Sequence, residues 1–262
     1  MDLRIRKRKA ILAGASAGLG FASALALARE GVDIVISARG KSKLEDAAQR
    51  IINETGANIV TVVADHGTGR GRAALLAACP DPDILVITCS PPKTTEDYRE
   101  IDEVDWHASV ATTLVGPIEL MKAVIDSMAA RRWGRIVNIA TGAAKHPLET
   151  RLLSGPTRSA LVNYTVAISK KVAKHNVIIN NLLPGFHETS GLRDVLTERA
   201  NRAGTSYEDE LTGFLERTRI PLGRLCEPND FAAFCALLCS EYAASVVGQS
   251  LVIDGGFTHS LF

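Results

Sequence analysis

The chain has 262 residues, 46% hydrophobic and 23% charged, with 30 Lys and Arg against 29 Asp and Glu for a net charge of +1. That size and balance fit one large globular domain spanning 1–262, with ample apolar material for a core. They leave no overall positive field to hold nucleic acid or an anionic membrane. Five cysteines (Cys79, Cys89, Cys226, Cys235 and Cys239), none in a CxxC pair, fit a reducing cytoplasm and suggest no metal site. Cys235 and Cys239, four apart in an apolar run, read as core residues.

Taken in order, short β-branched runs alternate with longer amphipathic ones. Arg4, Arg6, Lys7, Arg8 and Lys9 precede an apolar stretch over 10–28. This has the outline of a secretory leader, but three glycines interrupt it and have a better use as a turn. No stretch reaches roughly 18 uninterrupted apolar residues, the length of a membrane span. Strands are predicted over 10–13, 34–37, 59–63, 84–88, 136–139, 177–183 and 251–253. Helices are predicted over 19–30, 42–55, 72–78, 103–131, 158–174 and 228–239. Ser42 and Glu45 have capping-box spacing at the start of the second helix. In the long fourth helix Trp106, Val110, Leu114, Ile118, Met121, Ile125 and Met128 recur every three or four residues, predicting one buried stripe. Pro117 inside it predicts a kink. Fully apolar strands alternating with helices imply a doubly wound α/β domain, a parallel sheet of about seven strands covered on both faces.

Between the first strand and first helix runs Gly14-Ala-Ser16-Ala-Gly18-Leu19-Gly20. Gly14 permits the tight turn, Gly18 lets a pyrophosphate approach the backbone, and Gly20 lets helix and sheet close together. The helix N-terminus then faces the anion. The spacing is GxxxGxG, and the chain resembles the short-chain dehydrogenase/reductase family over essentially its whole length. Asp65 after the third strand, Asn180, Pro184-Gly185 with Thr189, and Ile253-Asp254-Gly255-Gly256 match further landmarks of that family. The resemblance implies a Rossmann-type fold and a nicotinamide dinucleotide. Gly14, Ser16, Gly18, Leu19 and Gly20 would contact its phosphates, Asp65 its adenine, and Pro184, Gly185 and Thr189 its carboxamide.

An NAD-preferring site places an acid at the end of the second strand. Here that strand ends Ser37-Ala38-Arg39, with Ala38 at the acid's place. A carboxylate would repel a 2′-phosphate, whereas the Arg39 guanidinium pairs with it and Lys41 and Lys43 add positive charge. NADP is therefore expected over NAD.

The resemblance breaks at the catalytic positions. The family uses a tyrosine as proton donor and acceptor, a lysine four residues later, a serine on the carbonyl and an asparagine on the long helix. In this sequence Ser154 stands at the tyrosine place, Arg158 at the lysine place, Thr141 at the serine place and Thr113 at the asparagine place. Ile87-Thr-Cys-Ser90 replaces the usual Asn-Asn-Ala-Gly. Thr141 keeps a hydroxyl and Arg158, which would also touch the cofactor ribose, keeps a charge. An aliphatic hydroxyl at Ser154 is a far poorer acid than a phenol. None of the four tyrosines (Tyr98, Tyr164, Tyr207, Tyr242) falls at the site in this register. His146, after the fifth strand, and His187, after Pro184-Gly185, are the alternative proton donors, with His146 preferred, although each reads first as a surface loop histidine.

Two functions fit. One is an NADP(H)-dependent oxidoreductase interconverting a carbonyl, such as a 3-oxoacyl thioester, and a secondary alcohol through Thr141, Ser154, Arg158 and His146. The other is a non-catalytic dinucleotide-binding regulator or subunit. The segment 187–219 is expected to cover the site as a lid. The resemblance also implies a homodimer or homotetramer, with the apolar end Ser260-Leu261-Phe262 buried in a neighbour or simply frayed.

Overall fold

A computed structural model describes residues 1–95 and 97–259, so Ser260-Leu261-Phe262 lie outside the described residues. Seven strands form one parallel sheet: β1 (Lys9–Ala13), β2 (Asp33–Ala38), β3 (Ile59–Val63), β4 (Ile84–Ile87), β5 (Gly134–Ile139), β6 (Val177–Pro184) and β7 (Ser250–Ile253). Their order is β3-β2-β1-β4-β5-β6-β7, reversing direction of growth after β3. Such a reversal opens a crevice at the carboxyl ends of the central strands, where ligands of doubly wound sheets sit.

Helices α1 (Gly18–Arg29), α2 (Lys41–Thr55), α3 (Gly69–Ala78), α4 (Glu103–Val110), α5 (Gly116–Ala130), α6 (Ser154–Val172), α7 (Ser190–Ala203), α8 (Tyr207–Thr218) and α9 (Pro228–Leu238) complete the chain. Because successive strand residues point to opposite faces, adjacent apolar residues feed two separate cores. Leu12, Ile36, Val86, Val137 and Leu182 pack with Leu27, Leu44, Phe231, Cys235 and Cys239 on the α1, α2 and α9 face. Ile11, Val35, Leu85, Ile136 and Ile179 pack with Leu75, Leu120, Val124 and Leu161 on the other. A third, smaller cluster of Leu196, Phe214, Ile220 and Leu225 gives α7 and α8 a core of their own.

Two local expectations are corrected. The second helix begins at Lys41 with Gly40 as its N-cap and carries no side-chain cap. Ser42 therefore sits inside the first turn, and Glu45 ion-pairs with Lys41 at 3.7 Å. In the long fourth helix the irregularity expected at Pro117 takes the form of a π turn just before it. Residues Ala111–Val115 form a π turn, and Pro117 occupies the opening of α5. Proline lacks the N–H that would bond four residues back, and the wider turn just before it absorbs that loss.

The extra residue of the π turn also shifts the helical phase. Leu120, Met121, Val124, Ile125 and Met128 are buried, whereas Trp106 is exposed and Val110, Leu114 and Ile118 are only half-buried. By length and apolarity the helical run Glu103–Ala130 would suffice to cross a membrane. In this fold its apolar face is the cover of the sheet.

Candidate functional site

A cleft of about 400 Å³ opens at the carboxyl ends of the strands; its lining runs from Gly14 and Ser16 past Arg39 and Lys43 to Asp65, Cys89, Thr113 and Leu153. Its floor is set by the glycine turn. Gly14 has φ +82°, and a Cβ there would lie 2.2 Å from the Thr88 carbonyl oxygen. A Cβ on Gly20 would lie 2.3 Å from the Gly14 carbonyl oxygen. Backbone thus packs against backbone at both positions, and only glycine fits. Gly18 is also left-handed, at φ +56°, and its missing Cβ would approach only the Thr189 side chain. The Leu19 side chain faces away and packs against the first core, leaving its backbone at the helix start.

The helix ends show what this turn is open to. Helices α3, α4, α7 and α8 are capped by Thr68, Asp102, Thr189 and Ser206 side chains, whereas α1 and α2 have no side-chain cap. α5, α6 and α9 lack a side-chain cap as well; the entry turns of α1 and α2 line the cleft at Ser16 and Gly40, so their free N–H groups are available to an anion there. Arg39 and Lys43 stand beside Ala38 at the end of β2, where the lining holds no carboxylate. Asp65 lies across from them. One of its oxygens accepts from the Gly67 N–H at 2.8 Å, which fixes the carboxylate toward the cleft wall. These residues fit a dinucleotide carrying an extra phosphate.

His66, next to Asp65, is buried and its Nε2 donates to the Thr112 carbonyl at 3.1 Å. That carbonyl belongs to the π turn, so the Asp65 end of the cleft is tied to the helical run carrying Thr113. Burial holds the His66 pKa below its ordinary value. Thr113 Oγ1 lies 2.7 Å from both the Ser109 carbonyl oxygen and Thr157 Oγ1. Ser109, Thr113 and Thr157 form a buried hydroxyl chain between α4 and α6.

Ser154 and Arg158 are brought together. They are one turn apart on α6, with relative exposures of 3% and 4%, and the guanidinium donates to Ser154 Oγ. It also donates to the Cys89 carbonyl and to Cys89 Sγ, both at 3.1 Å. α6 starts four residues earlier than its sequence pattern suggests, because Ser154 opens it. Thr141 is not hydrogen-bonded to this pair: its hydroxyl accepts from the Ala143 N–H at 3.3 Å and caps a short 3₁₀ turn. His146 lies just beyond that turn, half-buried, edge-on to Phe257 at 6.1 Å.

His187 is not a surface loop histidine. It is 3% exposed, edge-on to Phe231 at 5.2 Å, with Nδ1 against the Gly185 carbonyl at 3.4 Å. Its Nε2 is buried without a partner among the described residues, and burial holds its pKa below the ordinary histidine value.

Gly185 packs under Asp254, where a Cβ would come within 2.4 Å of the Asp254 Cβ, and its N–H bonds the Ile253 carbonyl at 3.0 Å. Pro184 ends β6 and pairs with Ile253. Asn180 serves the scaffold, donating to the Val246 carbonyl at 2.6 Å and accepting from the Gln249 N–H at 2.8 Å. Thr189 caps α7, and its side chain lies against Gly18 at the start of α1. No tyrosine lines the cleft. His66 and Ser109 carry no sequence signal that marks them, while Cys89 stands in the one segment where Asn-Asn-Ala-Gly is replaced.

A family model described as Enoyl-(Acyl carrier protein) reductase matches residues 14–258. The chain belongs to the short-chain dehydrogenase/reductase family. It is 25% identical over 262 residues to the 3-oxoacyl-[acyl-carrier-protein] reductase of Aquifex aeolicus, covering 98% of this chain and 99% of the relative. It is 27% identical over 264 residues to the NADPH-dependent reductase BacG of Bacillus subtilis, covering 97% and 99%. The crystal structure of L-sorbose reductase from Gluconobacter frateurii, complexed with NADPH and L-sorbose, superposes with a TM-score of 0.94 at 27% identity over the whole of both chains.

Proposed function

We propose that this chain is an NADP(H)-dependent oxidoreductase interconverting a carbonyl and a secondary alcohol with an atypical catalytic set. The observation that carries the cofactor half is the pair of uncapped helix ends beside Arg39 and Lys43, with Ala38 where an acid would stand. NADPH in the L-sorbose reductase complex and in the name of the Bacillus relative supports the same choice. When bound, the nicotinamide supplies or accepts the hydride.

Gly14, Ser16, Gly18, Leu19 and Gly20 would hold the phosphates, Asp65 the adenine, Arg158 the ribose, and Pro184, Gly185 and Thr189 the carboxamide. The protein's own part is to orient and polarise the carbonyl. Arg158 holds Ser154 Oγ by donating to it, which leaves the serine hydrogen free to point at a carbonyl oxygen. Thr141 offers a second hydroxyl. His146, at the rim, is the proton donor of this reading, because an imidazole can give and take a proton whereas an aliphatic hydroxyl is a poor acid. The lid over 187–219 forms around α7 and α8 within a single 1–262 domain, and a reducing cytoplasm and a homodimer or homotetramer belong to the same reading.

The deciding measurement is NADPH oxidation by the purified chain with a panel of aldehydes, ketones and 3-oxoacyl thioesters. Turnover with at least one of them is expected, with NADH at least about tenfold poorer. NADPH binding without turnover across the panel would replace this reading with a dinucleotide-binding regulator. The hydroxyl of Ser154 in place of a phenol, four residues before Arg158, favours that second reading.

A further inference from the structure

Pro117 leaves a gap in the helical run Glu103–Ala130, and a side chain from another part of the sequence fills it. In the π turn Ala111–Val115 the Gly116 N–H bonds the Ala111 carbonyl, five residues back. The next bond in that register would run from residue 117 to the Thr112 carbonyl, but proline has no N–H to give. His66 supplies the missing donor, its Nε2 reaching the Thr112 carbonyl at 3.1 Å. No other side chain donates to that carbonyl among the described residues. His66 is 6% exposed, and a carbonyl left without a donor beside it would be costly.

The loop that carries His66 touches the π turn at two further points. A Cβ on Gly116 would lie 2.7 Å from the His66 carbonyl oxygen, and a Cβ on Gly67 would lie 3.2 Å from Thr112 Oγ1. Glycine on each side lets loop and helix meet this closely. The loop is also held from behind. The Arg72 guanidinium donates to the His66 carbonyl at 2.9 Å, and the Gly67 N–H donates to Asp65 at 2.8 Å. The segment that lines the cleft at Asp65 and His66 is therefore seated on the π turn.

Beyond the π turn the contacts run on to α6. Thr113, next to Thr112, has its Oγ1 2.7 Å from Thr157 Oγ1, and Thr157 Oγ1 donates to the Leu153 carbonyl at 2.8 Å. Ser109 Oγ lies 3.3 Å from Thr157 Oγ1. All three hydroxyl residues are buried. Leu153 immediately precedes Ser154, and Thr157 immediately precedes Arg158. What fixes the π turn thus fixes the first turn of α6. The link consists of short hydrogen bonds between neutral groups, which fade steeply when one end moves.

We infer that His66 is a positioning residue for Ser154 and Arg158: its Nε2–H replaces the N–H that Pro117 lacks and holds the π turn against which the first turn of α6 is set. Burial keeps the His66 pKa below its ordinary value, and the neutral ring carries the single N–H that Thr112 receives. The role in turnover rests on the reading of the cleft as a carbonyl-reducing site; the link itself is read without cofactor or substrate.

Hydrogen exchange of the cofactor-free protein is followed by mass spectrometry in peptides covering 110–118 and 153–159. H66M keeps the bulk and loses the donor, and should exchange about tenfold faster in both peptides, the ratio that one lost buried hydrogen bond supplies. H66Q, whose amide N–H has a similar reach, should restore the wild-type rates. T113V cuts the link one residue further on and should speed 153–159 alike. With NADPH and a carbonyl that the protein reduces, kcat per NADPH-binding site should fall about tenfold in H66M. The isotope effect from NADPH deuterated at the transferred hydrogen should rise with it, and H66Q should again stand close to wild type.

Faster exchange of H66M in 110–118 alone overturns the inference, because it reports a bond with no reach into α6. A uniform rise along the whole chain overturns it as a loss of stability. So does an unchanged rate for 153–159 in T113V, an H66Q no better than H66M, or an unaltered kcat and isotope effect in H66M. If no carbonyl is turned over, the proposed function falls and the exchange rates alone decide the link.

Discussion

Around β1 and β2 the chain keeps every residue type that a dinucleotide turn needs. Around β4, β5 and the start of α6 stand Cys89, Thr141, Ser154 and Arg158, a thiol, two hydroxyls and a guanidinium. Both regions lie at the carboxyl ends of one parallel sheet. Gly14 and Gly20 leave no room for a side chain, because the opposing atoms are carbonyl oxygens at 2.2 and 2.3 Å from any added Cβ. The catalytic end is held mainly by side chains hydrogen-bonded to one another, with Ser154 and Arg158 buried, and not by backbone packed on backbone. Ser154 and Arg158 remain one turn apart on α6 and remain bonded. The lesson is that backbone packing constrains one region sterically, while the other answers only to the molecule it must handle.

The largest effect should come from breaking the sterically constrained region. Gly14→Ala combines a left-handed φ with a backbone clash, and should cost about 3 kcal/mol in a urea titration and abolish NADPH binding. A variant with wild-type stability would show that the turn is softer than its contacts imply. Next, His146→Gln and Ser154→Ala should each lower kcat about a hundredfold with NADPH affinity retained. Full turnover in His146→Gln would remove that histidine from the proton path and sharpen the contrast between the two regions.

Arg39→Ala should then weaken NADPH about tenfold and leave NADH unchanged, in fluorescence titration. Equal losses for both cofactors would reassign the guanidinium to something other than the 2′-phosphate.

The smallest effect is on stability against pH. His66 on the cofactor side and His187 on the lid side are both buried with lowered pKa values. Folding therefore favours the neutral imidazole, and the unfolded chain binds more protons below its own pKa near 6.5. Stability should be full above about pH 6.5 and fall as the pH drops from there through the lower folded values. His187→Gln and His66→Gln should each flatten part of that slope in denaturant midpoints between neutral and mildly acid pH. An unchanged slope in both variants would place the acid sensitivity elsewhere.

The order of strands and helices is written in local pattern, so it was legible from the sequence: apolar runs of strand length, glycines after β1, and an acid-free end of β2. Legibility failed where the decisive force is not local. Ser42 and Glu45 have capping-box spacing, but the cleft keeps that helix end free and the helix enters at Gly40. Pro117 announced a defect and not its form, since a π turn preceding it lets Thr112 and Thr113 bond to His66 and Thr157. His187 had the flanks of a surface loop, and its burial depends on Phe231, which is 44 residues away in the chain.

What the sequence alone determined is the doubly wound sheet and the position of its phosphate turn, because hydrophobic period and backbone sterics act between near neighbours. Only the tertiary structure decided which distant side chains meet. Arg158 against Cys89, and His187 against Phe231, are produced by the order of strands in the sheet and by distant segments folding back over it. Long-range electrostatics have no period in a sequence; they exist once distant side chains share one low-dielectric cleft.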